Sequence, residues 1–191
     1  MMTVRQFAAC LAAGWMTLRS LLTARGAETA EQGMDSMKAL VRNRFPTVRQ
    51  LSVGELVTWL AQTDRPKPLL VDVRTEAEFR TSHLPGARRL DPDAKKLPAT
   101  WKVSPESPVV FYCSVGYRSS QLAERAVRSG WTNSYNLEGS IFEWANAGHP
   151  VEAEGKPVHA VHPYNTTFGK LLHPDLLPSE KKPNSTTEGR R

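Results

Sequence analysis

The segment Cys113-Ser114-Val115-Gly116-Tyr117-Arg118-Ser119-Ser120 brings together a thiol, a glycine and a guanidinium between a compact apolar run and a stretch of helical periodicity. A cysteine at the carboxyl end of a buried parallel strand lies where open α/β sheets bind ligands, and the helix that follows turns its free amides toward the same spot. Those amides, together with the positive end of the helix dipole, favour thiolate over thiol. They draw the cysteine pKa from about 8.5 toward neutrality. Gly116 lets the backbone curl so that successive N–H groups face inward as an anion-binding nest. Arg118 adds a permanent cation whose fork of donors suits an oxyanion. The loop contains no histidine to act as a base, and the chemistry calls for no metal and no cofactor. The expected site is therefore Cys113 as nucleophile, with Gly116 shaping the nest and Arg118 supplying the cation.

The elements that must hold this loop are legible on either side of it. Leu69-Leu70-Val71-Asp72-Val73 and Pro108-Val109-Val110-Phe111-Tyr112 are short apolar runs of the kind that form strands buried on both faces. Shorter strands are predicted at Arg88 to Leu90 and Ser134 to Leu137. Ser52-Val53-Gly54-Glu55 reads as a capping box opening a helix that runs to about Ala61, and Thr75 can cap a helix over Glu76 to Arg80. From Ser119 to Ser129, Leu122, Ala123, Ala126 and Val127 fall at helical spacing, and Gly130 ends that helix. A last helix carries Ile141, Phe142, Trp144 and Ala145 and is stopped by Gly148 and Pro150. Strands alternating with helices argue for a parallel sheet covered on both faces.

Length and composition bound the rest. The 191 residues are 40% hydrophobic and 23% charged, enough for one domain of ordinary size with tails. The formal charge of +6 is scattered, without the basic, aromatic-interleaved stripe of a nucleic-acid binder, so no nucleic-acid partner is expected. Cys10 and Cys113 lie far apart and offer neither a disulfide framework nor a zinc site; Cys10, in an apolar leader, is read as inert. Reduced thiols point to the cytoplasm. Against that stands a segment of 27 residues with no Asp or Glu, carrying Arg5, Arg19, Arg25 and an apolar run from Phe7 to Leu18. It fits a signal peptide cleaved after Ala24-Arg25-Gly26, an organellar presequence, or an overlong start upstream of Met34 or Met37. It is too short and too charged to span a bilayer, so membrane contact is expected only if it is retained. The domain plan is a leader or disordered segment over 1–43, the folded domain over 44–151, an extension over 152–177 that packs back through Val161, Tyr164, Phe168, Leu171 and Leu172, and a disordered tail over 178–191. The sequons at Asn165 and Asn184 are read as chance patterns. The sequence carries no signal of oligomeric state.

The run from about Leu51 to Val151 resembles a single rhodanese domain. The resemblance rests on Asp72-Val73-Arg74, Glu76-Ala77-Glu78-Phe79, His83-Leu84-Pro85-Gly86-Ala87, the Cys113 loop, Asn136-Leu137-Glu138-Gly139, and Trp144 before Gly148-His149-Pro150-Val151, all in order. It implies a three-layer α/β fold with a central, mostly parallel five-stranded sheet and helices on both faces. It also implies a sulfurtransferase: Cys113 accepts a sulfane sulfur from a small donor such as thiosulfate, becomes a persulfide, and passes the outer sulfur to cyanide, a small thiol or a protein thiol. By the same resemblance Ser114, Val115, Gly116 and Tyr117 supply the cradle amides, Arg118 closes the pocket, and Asp72 and Arg74 are the buried polar pair that supports the loop, although ordinary structural polar residues are the preferred reading of those two. Ser82 and Ser140 stand where the family commonly has glycine and are expected to lie clear of the cradle. His83 is read as a turn residue with a satisfied hydrogen bond. A cysteine phosphatase or arsenate reductase is the first rival, disfavoured because four residues separate Cys113 from Arg118, one fewer than in phosphatase loops. The second is a non-catalytic rhodanese-like binding module, disfavoured because the loop cysteine is kept.

Overall fold

Val109, Val110, Phe111 and Tyr112 are all buried, as expected of a strand with protein on both faces. They form the middle strand of the sheet. The computed structural model describes residues 28–94 and 97–179. Within these, β1 (Arg49–Leu51), β2 (Leu69–Asp72), β3 (Arg88–Arg89), β4 (Val109–Tyr112) and β5 (Ser134–Leu137) make a five-stranded sheet in the order β1-β5-β4-β2-β3. Every pairing in it is parallel. The helices are α1 (28–44), α2 (Val53–Ala61), α3 (Glu76–Thr81), α4 (Tyr117–Arg128), α5 (Ser140–Asn146) and α6 (Thr166–Gly169).

Alternation along β4 divides the core. Val110 and Tyr112 face one side with Leu70 and Leu137, under Leu56 and Trp59 of α2 and Ile141, Phe142 and Trp144 of α5. Val109 and Phe111 face the other with Val71, under Leu122, Ala123 and Ala126 of α4 and Val41 of α1. Helices therefore cover both faces. The capping box at α2 is present, with Ser52 Oγ accepting from the Glu55 amide and the Glu55 carboxylate accepting from the Ser52 amide. Thr75 and Glu78 make a second such box at α3.

One segment differs from the sequence-based plan. Residues 28–43, assigned to a leader, are helical, and Ala30, Met34 and Val41 are buried at 4% exposure or less. Their apolar spacing lays one stripe of α1 against the sheet layer, which anchors the helix whatever precedes it. Beyond α5 a hairpin of β6 (Val151–Ala153) and β7 (Lys156–Val158) extends the chain. It then returns across the domain, burying Val161, Leu172 and Leu176 in the same core as α2 and α5. The leader over 1–27, including Cys10, and the Asn184 sequon lie outside the described residues. Asn165 accepts a hydrogen bond from the Phe168 amide as the cap of α6.

Candidate active site

β4 delivers Cys113 at its carboxyl end, and α4 begins four residues later at Tyr117. The sequence predicts a start at Ser119; the helix begins earlier because Gly116, at φ 101°, serves as its cap without any side-chain hydrogen bond. That left-handed turn aims the Gly116 N–H at the Cys113 sulfur, 3.2 Å away. The thiol is 1% exposed. Cys113 nevertheless lines a cleft of about 150 Å³ together with Ser114, Val115, Tyr117, Arg118, Tyr164 and Phe168. Burial pushes the thiol pKa up. The Arg118 charge, the Ser119 hydroxyl and amide and the Gly116 amide together outweigh this, and the net shift is downward.

Of the expected cradle residues, Ser114, Val115, Gly116, Tyr117 and Arg118 all gather at the thiol. The Cys113 amide is held separately. It donates to Ser140 Oγ at 3.1 Å, while the Ser140 hydroxyl donates to the Leu137 carbonyl at 3.0 Å. Ser140 therefore touches the cysteine, contrary to the expectation that this departure from glycine lies clear of the cradle. The register of β4 and β5 places the start of α5 against the end of β4, and the Ile141 and Phe142 amides donate to the Cys113 and Ser114 carbonyls at 3.2 Å. Ser140 pays for this position with a φ of 52°.

Arg118 is bound more tightly than its sequence context suggests. Its guanidinium donates to both carboxylate oxygens of Glu78, at 2.7 and 3.0 Å, and to Ser114 Oγ at 3.0 Å. Glu78 is 2% exposed and also accepts from the Ser114 hydroxyl at 3.0 Å and the Thr75 hydroxyl at 2.8 Å. Burial pushes the Glu78 carboxyl up, but Arg118 and Thr75 dominate and hold it at about 2. The face of the Tyr164 ring lies 4.9 Å from the guanidinium carbon of Arg118. The fork is thus largely committed within the protein, and what Arg118 offers the thiol is chiefly its charge.

Asp72 and Arg74 are fully buried and paired at 2.7 Å. Arg74 also donates to the Ser82 carbonyl and stacks 6.0 Å from the centre of the Tyr112 ring, whose hydroxyl accepts from the Leu84 amide at 3.1 Å. The pair ties the end of β2 to the turn after α3 and meets the cysteine loop through Tyr112, its preceding residue. His83 Nδ1 lies 3.0 Å from the Phe79 carbonyl and its ring stacks on Phe79. Glu78, Ser119, Ser140, Tyr164 and Phe168 are the residues at the site that the sequence reading did not assign to it.

Among the described residues no group of three or more His, Cys, Asp or Glu could hold a metal ion. The profile of the rhodanese-like domain matches residues 55–147. A sulfurtransferase of Allochromatium vinosum is 32% identical over 106 residues, which cover 56% of this chain and 96% of that protein. A tRNA uridine(34) hydroxylase of Sodalis glossinidius is 27% identical over 146 residues, and the match spans 69% of this chain and 40% of the hydroxylase. Among solved structures, a thiosulfate sulfurtransferase from Pseudomonas aeruginosa, 21% identical, aligns with a TM-score of 0.53 over 64% of this chain and 23% of that one, a likeness of fold.

Proposed function

Because the chain belongs to the family of rhodanese-like domains, we propose that it is a sulfurtransferase that carries sulfane sulfur as a persulfide on Cys113. The Cys113 thiolate attacks the outer sulfur of a donor. With thiosulfate, the new S–S bond forms as the old one breaks, and sulfite leaves with the electron pair. The acceptor thiolate, or cyanide, then attacks the outer sulfur of the persulfide and restores the Cys113 thiolate, so neither half needs an external oxidant or reductant.

The observation that carries this reading is the Gly116 amide 3.2 Å from the sulfur of a cysteine that lines a cleft. The same group that stabilises the thiolate can stabilise the persulfide anion, since both place negative charge at the head of α4. Arg118 supports both states through its charge. Ser114, Val115 and Tyr117 line the same cleft. Asp72 and Arg74 contribute by fixing the scaffold behind the loop.

The test is intact-protein mass spectrometry after treatment with thiosulfate. The expected result is a gain of one sulfur on Cys113, reversed by dithiothreitol and absent in Cys113→Ser. That substitution changes the side-chain volume little and should leave the fold intact. Release of phosphate from a phosphomonoester without any sulfur transfer would move the assignment to the phosphatase reading, and absence of both reactions would leave the binding-module reading.

A further inference from the structure

The segment after β7 lies outside the stretch that the family profile matches, yet it builds one wall of the Cys113 cleft. It is fastened there. The Val161 amide donates to the Leu176 carbonyl at 2.7 Å, and the Asn146 side chain of α5 bridges the Leu171 carbonyl and the His173 amide at 2.7 and 2.9 Å. Gly169 is packed so closely that an added Cβ would sit 2.9 Å from Pro163 Cβ. Tyr164 holds a φ of 62°, uncommon for a bulky residue, with its amide bonded to His162 Nδ1 at 3.0 Å. The consequence of that conformation is a placed ring: Tyr164 meets Phe168 edge to face, centroids 5.5 Å apart, and covers Arg118.

Tyr164 and Phe168 line the cleft so enclosed together with Val115 and Tyr117. Its volume, about 150 Å³, matches a cavity that accommodates one benzene-sized group. Arg118 is the one charged residue among the described residues lining it, and that charge is already paired with Glu78. A dianion entering here would lose its water without meeting an uncommitted cation. We propose that the Tyr164–Phe168 wall sets donor specificity, selecting a sulfane sulfur carried on a compact apolar group over the hydrophilic dianion thiosulfate.

This proposal rests on the Cys113 persulfide reading and names its donor class. For a thiosulfonate, R–SO2–S⁻, the Cys113 thiolate forms a bond to the outer sulfur, the S–S bond to the sulfonyl sulfur breaks, and the sulfinate R–SO2⁻ departs. Charge balances, and the protein holds the same persulfide as with thiosulfate.

Methanethiosulfonate and benzenethiosulfonate share the reacting group and differ in the apolar flank. Sulfur transfer from each to cyanide, with thiosulfate alongside, is measured with the full chain. The expected kcat/KM for benzenethiosulfonate exceeds that for methanethiosulfonate by about tenfold or more, the range that apolar contacts in a pocket supply, and exceeds that for thiosulfate. Tyr164→Gly removes the ring while suiting the left-handed backbone, so it should fold and bring the phenyl-to-methyl ratio close to one. Phe168→Ala should lower the ratio, and Tyr164→Phe should keep it. An unchanged ratio in Tyr164→Gly and Phe168→Ala, or a wild type that prefers thiosulfate, overturns the proposal. If no donor loads Cys113 in the wild type, the sulfurtransferase reading itself has failed, an outcome separate from a flat donor preference.

Discussion

Replacing Glu78 by glutamine separates what the Glu78–Arg118 pair does for the fold from what it does for the thiol. The carboxyl is held at about 2 instead of its ordinary 4.5, a depression worth about 3 kcal/mol of preference for the ionised form in the folded state. Because the folded-state pKa lies below the unfolded one, this stabilisation is complete above pH 4.5 and is lost as the pH falls toward 2. Glu78→Gln removes it at every pH. At neutral pH the variant is expected to be about 3 kcal/mol less stable than wild type in urea denaturation, and the gap should narrow through the same acid window as the wild type loses its own contribution. The thiol should respond in the opposite sense, with Arg118 relieved of its counter-charge and the Cys113 pKa lowered further, read from thiolate ultraviolet absorbance. Equal stability of the two proteins at neutral pH, or a gap that stays constant into acid, would refute the assignment of Glu78 as the buried partner of Arg118.

Gly116→Ala forces a side chain into a φ of 101° and brings its Cβ to 3.2 Å from Asn136 Nδ2. Denaturant unfolding should show a loss of about 1–2 kcal/mol, and slower alkylation at neutral pH should report a raised thiol pKa as the amide moves off the sulfur. Ser140→Ala keeps the strained φ and leaves the Cys113 amide without its acceptor, for an expected loss of about 1–3 kcal/mol. Ser140→Gly relieves the backbone while losing the same bond, so its melting temperature should fall between wild type and Ser140→Ala.

The parts of this protein that sequence alone exposes are those set by neighbours along the chain. The run Val109 to Tyr112 announces a strand covered on both faces because period and composition are local properties. Ser52 and Glu55 announce a helix start because the two hydrogen bonds of a capping box span three residues. Cys113, Gly116 and Arg118 were readable as a site for the same reason. Thr75 announces the start of α3, but the pairing of Glu78 with Arg118 bridges 40 positions and depends on where α3 ends up beside α4. Ser140 meets the Cys113 amide across 27 positions through the β4–β5 register. Tyr164 and Phe168 were expected to pack on the domain, yet which surface they cover follows from the anchoring of Val161 and Asn146, and no local pattern encodes that. Residues 28–43 are obscured differently. Their helical apolar spacing is present, but it follows directly on an apolar leader that drew the whole stretch into one assignment.

The account depends on a sulfur that ionises more readily than an ordinary thiol although protein surrounds it. The direct measurement is the pH dependence of Cys113 alkylation in the full chain, followed by mass spectrometry at that residue, with free cysteine titrated in the same buffer. The account predicts a midpoint for Cys113 below that of the free amino acid. A midpoint at or above it would mean that burial outweighs Arg118, Ser119 and the Gly116 amide, and would contradict the assignment of Cys113 as the group that accepts sulfur.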